Sequence, residues 1–171
     1  MVGKYIKCML FILVGSTLMF ADEIKEEDFY LQIKLIGREK SKDSNSQHYH
    51  IEVKDREVTY HYKYYGFPFP PNRERSSKYR LSDEALSEII QTIKDEKIDV
   101  STEEKRSTKS NGGVTMRVHL SLFLKLEGKT TESEISGNVK IFRGDGKIKG
   151  ELIKNTNYIN SVKSLIGDLE R

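Results

Sequence analysis

The sequence predicts an α+β fold: a mostly antiparallel sheet of four to six strands with two helices packed on one face, a two-layer sandwich. Three observations predict it. Runs that alternate apolar and polar residues recur from Phe29 to Ile141, so the sheet has one wet face and one covered face. Short polar turns separate neighbouring runs, as hairpins require. Two segments carry apolar residues at helical spacing and supply the cover.

The first strand shows Phe29, Leu31, Ile33 and Leu35 on one side and Gln32 and Lys34 on the other. Gly37 is expected to end it, and Arg38 to Gln47 reads as a charged connection. Tyr49 to Val53 and Val58 to Tyr62 then flank the polar Lys54-Asp55-Arg56-Glu57. Pairing Val53 with Val58 sets Ile51 opposite Tyr60 and Tyr49 opposite Tyr62, which places all of them on one face. Three prolines, at 68, 70 and 71, break any strand and open a long loop expected to run through Arg73, Arg75 and Ser77.

A helix follows. Ser82 is suited to cap it, Asp83 and Glu84 suit its positive end, and Leu81 and Leu86 stand at staple positions. Its stripe is Ala85, Leu86, Ile89, Ile90 and Ile93. Val100 to Gly113 reads as a polar connection. The longest strand comes next, with Val114, Met116, Val118, Leu120, Leu122, Leu124 and Leu126 pointing one way. Gly128-Lys129 turns the chain into an alternating partner around Ile135 and Val139, and a weaker run surrounds Ile148 and Leu152. Asn155-Thr156 caps a final helix with the stripe Ile159, Val162, Leu165, Ile166 and Leu169.

The amino terminus has another character. Lys4 and Lys7 precede an apolar run from Cys8 to Ala21, and Asp22-Glu23 follows it. That is the pattern of a secretory signal peptide, cleaved after Ala21 to leave a single domain over residues 22–171. The run is too short to cross a hydrocarbon core that needs ~20 residues. The expected location is therefore periplasmic or extracellular, with no membrane anchor after cleavage. Cys8, the one cysteine, lies inside this run, so the mature chain has neither a disulfide framework nor thiolate chemistry. No Asn-X-Ser/Thr acceptor occurs, which favours a bacterial envelope over a eukaryotic secretory route.

Loss of Lys4 and Lys7 brings the formal charge from +3 towards neutrality. With signs interleaved along the chain, no electrostatic footprint for nucleic acid or an anionic membrane is present. No nucleophile elbow, His-Glu-X-X-His pair, phosphate loop or dinucleotide fingerprint occurs, which points away from catalysis.

Two constellations remain. The segment Phe67-Pro68-Phe69-Pro70-Pro71, followed by Arg73 and Arg75, puts aromatics and arginines on a stiff loop, a combination enriched at contact hot spots. The bland alternative packs Phe67 and Phe69 under the sheet edge. A protein or envelope partner is the expectation from this segment. The second constellation is histidine. His48, His50, His61 and His119 all fall on the polar face, and the hairpin register sets His50 against His61 with His48 two residues along. Such spacing can hold zinc, with Glu52 as a further ligand or support. The alternative is a solvated face beside Lys34 and Lys63, whose charge opposes a cation, and on that reading the protein takes no cofactor. Arg143-Gly144-Asp145 spells an adhesion tripeptide but equally makes an ordinary turn.

Overall fold

The computed structural model describes residues 29–39, 45–66, 72–105, 115–141, 148–149 and 155–170. The fold is α+β. Strands β1 (Tyr30–Glu39), β2 (Ser46–Lys54), β3 (Glu57–Tyr65) and β4 (Arg73–Arg80) precede helix α1 (Asp83–Asp95). Then come β5 (Glu103–Lys105), β6 (Thr115–Leu126), β7 (Lys129–Ile141), β8 (Ile148–Lys149) and helix α2 (Thr156–Leu169). All the strands join one sheet in the order β4-β3-β2-β1-β6-β7-β5, with β8 also on β7. Every pairing is antiparallel except β5 with β7.

The expectation of four to six strands is too low, for two physical reasons. Arg73, Arg75 and Ser77 do not lie in a loop; they belong to β4, which pairs along β3 from Glu57↔Arg80 to Tyr64↔Arg73. Backbone hydrogen bonds hold an edge strand whose side chains carry no apolar alternation. The polar stretch after Val100 likewise contributes β5, where Glu104 stands opposite Ile135. Gly37 does not end β1 either. It pairs with Gln47 and Val118, and a Cβ there would crowd the Met116 thioether.

The β2–β3 hairpin has the register its sequence predicts: Val53↔Val58, Ile51↔Tyr60, Tyr49↔Tyr62 and His50↔His61. Both turn residues, Asp55 (φ 50°) and Arg56 (φ 65°), are left-handed, as a two-residue turn matched to strand twist demands. The β6–β7 turn repeats this with Glu127 and Gly128.

One core cluster joins the covered sheet face to both helices. Ile33, Ile51, Leu120, Leu122 and Tyr60 are buried with Ile89, Ile93, Val162 and Ile166. Ser82 Oγ accepts from the Ala85 amide at 3.2 Å, so α1 begins as its capping residue implies. The Arg56–Asp83 ion pair ties the start of α1 to the β2–β3 turn, and Lys94 to Glu127 (2.5 Å) ties its end to the β6–β7 turn. Helix α2 runs antiparallel to it, since Tyr158 Oη donates to the Ile98 carbonyl at 3.1 Å and Ser161 Oγ donates to Glu96 at 2.6 Å. Among the described residues, no helix is long and apolar enough to cross a membrane.

Asn155 precedes α2 but its side chain makes no capping bond. Glu104, from β5, instead holds Asn155 itself. Only 8% exposed, its Oε2 accepts from the Asn155 backbone amide and from Asn155 Nδ2, each at 3.3 Å. A carboxylate at a helix amino end satisfies orphan amides and meets the favourable end of the dipole.

Candidate functional site

Burial falls along the covered face from one end of the strands to the other. Val53, Val58, Ile51 and Tyr60 are buried, whereas Tyr49, Tyr62, Tyr64 and Gln47, farther along the same face, are only half-buried. Both ends of α1 are tied to the turns at the first end. The end of α2 reaches β4: Tyr79 Oη donates to the Leu169 carbonyl at 2.6 Å and Arg75 pairs with Glu170 at 3.4 Å. Beyond that line, among the described residues, the sheet presents tyrosines and arginines.

The register defines this patch. Tyr62 stands between Tyr49 on β2 and Arg75 on β4, and Tyr64 stands beside Arg73. The rings of Tyr49 and Tyr62 lie 4.8 Å apart with a 40° tilt. Arg73 and Arg75 are exposed. Burial, then the charges of Tyr62 and Glu170, push the Tyr49 phenol up to about 12. Burial likewise raises Tyr60, with Glu170 the next cause. The Tyr60 hydroxyl is enclosed near that carboxylate without a hydrogen bond of proper length and angle. Tyr62 is raised chiefly by burial, then by Tyr64 and Glu170, while Arg75 and Arg73 oppose the shift.

These phenols are neutral where they sit, and their ionisation is linked to unfolding. A raised folded-state value gives a contribution that is complete below the ordinary tyrosine value of 10.0 and fades as pH climbs through the folded value. Stability should therefore hold to about pH 10 and fall steeply towards pH 12. A tyrosinate absorbance titration should show some of the nine tyrosines ionising only together with the loss of circular dichroism. Independent titration of all nine below the unfolding transition would contradict the burial described.

Of the sequence-predicted contact residues, Arg73 and Arg75 are brought to this patch, on a strand rather than on a loop. Phe67 and Phe69 lie outside the described residues, as do residues 1–21 and Arg143-Gly144-Asp145. Tyr49, Tyr62 and Tyr64 were hidden by their pattern: alternation marks the face a residue occupies, and the reach of the covering helices decides its exposure.

The histidines stay on the outer face. His50 and His61 are direct cross-strand neighbours. His61 Nε2 lies 3.3 Å from Glu74 Oε1, a carboxylate also held by Lys63 at 3.2 Å. His48 instead bonds Ser46 at 3.2 Å and meets Tyr65 edge-on at 5.3 Å. Among the described residues, no three histidine, cysteine, aspartate or glutamate side chains converge as a metal would need. Glu52 is engaged elsewhere, accepting from Tyr30 Oη at 2.8 Å.

Among the described residues the surface carries hollows on both faces of the sheet. On the outer face a shallow depression of about 550 Å³ is lined by Tyr30, Gln32, Phe123 and the acids Glu103, Glu132 and Glu134. Lys105 partly neutralises those acids, lying 3.1 Å from Glu103 and 3.8 Å from Glu134. A groove of about 560 Å³ runs between the end of β4 and the helices, floored by Leu81, Ala85 and Ile89 and rimmed by Glu88 and Asp168. A comparison with protein-family models found no match to this chain, and a search of curated proteins found none either.

Proposed function

We propose that the protein is an exported, non-catalytic binding module that holds a macromolecular partner in the periplasm or outside the cell through the tyrosine–arginine patch. The observation that carries this reading is the line of half-buried Tyr49, Tyr62 and Tyr64 beside exposed Arg73 and Arg75. Tyrosine offers a large amphipathic contact area with little side-chain entropy to lose, and arginine adds directional donors; both are enriched where binding energy concentrates. The export half of the reading rests on the basic, apolar and acidic succession over residues 1–23.

Photo-crosslinking in intact cells of the source organism tests both halves. A benzoylphenylalanine in place of Tyr64 should capture one discrete partner, and the captured protein should begin near Asp22. The same group in place of Glu88, exposed on α1, should capture nothing comparable. Equal capture from both positions, or an intact leader on the captured protein, would refute the proposal.

A further inference from the structure

Strand β4 ends the sheet: among the described residues it pairs with β3 alone, so one row of its backbone amides and carbonyls faces outward. Such an edge is a template for another strand. Its eight residues, Arg-Glu-Arg-Ser-Ser-Lys-Tyr-Arg, carry four basic side chains and one acidic one. That acid, Glu74, is already faced by Lys63 at 3.2 Å and His61 at 3.3 Å from β3. Two of the cations have weak ties to release: Lys78 meets Glu57 at 2.7 Å and Arg75 meets Glu170 at 3.4 Å, both among exposed groups. Solvent-screened pairs of this kind are worth at most ~1 kcal/mol, so an incoming carboxylate can exchange with them.

We propose that β4 accepts an extended, acidic segment of a partner protein as an added antiparallel strand, a mode of binding that rests on the module reading above. Charge selects the occupant. A second copy would lay another strand of four basic side chains and one acid against this one. Crowding so many like charges along one ladder is destabilising, so the edge resists its own kind. Carboxylates at alternate positions of a partner strand fall on one face, where Arg73 and Arg75 on the tyrosine side meet them favourably. Arg73 and Arg75 lie on the side of the strand that faces Tyr62 and Tyr64, so a strand added here extends the tyrosine patch and places its side chains beside it.

The test uses the full chain and three synthetic eight-residue peptides: alternating Glu-Val, alternating Lys-Val, and the Glu-Val peptide with two valines replaced by proline. Fluorescence anisotropy should show binding of the Glu-Val peptide alone. Its affinity should fall roughly tenfold in the folded variant Arg73→Glu and by a similar factor at high salt. Amide exchange at residues 73–80 should slow in the complex. Equal binding of the proline peptide would reduce the effect to charge attraction and overturn strand addition. So would binding of the Lys-Val peptide, unprotected β4 amides, or peptide-free dimers that protect β4. Because the probes are synthetic, these failures are distinct from failure of the module reading, which is judged by capture from position 64 in cells.

Discussion

Truncating Leu122 to alanine is expected to cost about 2–5 kcal/mol of stability, the range for a large aliphatic removed from a closed core. Leu122 is 2% exposed and sits between Ile33 on β1 and Ser133 on β7, at the middle of the sheet. The strands on both sides are themselves paired, so the backbone has little freedom to close around the cavity. Lys125→Ala, on the outer face of the same strand, should change stability by no more than about 0.5 kcal/mol. Equilibrium denaturation in urea measures both. Similar midpoints for the two variants would mean that the faces of β6 are assigned the wrong way round, since a slip of one residue exchanges them.

The second large effect is expected from a residue outside the apolar core. Glu104→Ala should cost about 2–3 kcal/mol, because it strips a buried carboxylate acceptor from two part-buried Asn155 donors. The first turn of α2 contains no acid of its own, so nothing adjacent replaces the lost charge. Glu104→Gln keeps an acceptor oxygen and should recover part of the loss. Glu103→Ala, one residue earlier and exposed, should be close to neutral. Thermal unfolding followed by circular dichroism, with amide exchange over residues 155–160, gives the comparison. If the 103 and 104 variants behave alike, α2 does not depend on β5 for its amino end.

The candidate site was only half legible before the structure. Arg73 and Arg75 stood out through their aromatic neighbourhood, but their setting on an edge strand did not. RERSSKYR has no period-two apolar signal, and its pairing with β3 is a backbone property to which side chains contribute little. Tyr49 and Tyr62 fell on the covered face by pattern, because a period-two alternation reports a face and says nothing about how far a helix extends over it. The histidine register was legible to the residue, yet cross-strand adjacency alone did not gather a ligand set: His48 meets Ser46 and Tyr65, and Glu52 is engaged by Tyr30.

What the amino-acid order determined by itself are the features whose causes are local. The apolar and polar faces of β1 and β6, the β2–β3 register and the Ser82 cap of α1 each depend on residues within a few positions of one another. Only the tertiary structure decided the rest. β1 became central because β2 and β6 both pair with it, the latter across some eighty residues of chain. Glu104 became a helix cap because β5 docks beside β7, and β4 became an edge because it pairs with β3. The β1–β6 and β5–β7 contacts join distant segments, at a closure entropy that grows only slowly with the length between them, so no local pattern announces them.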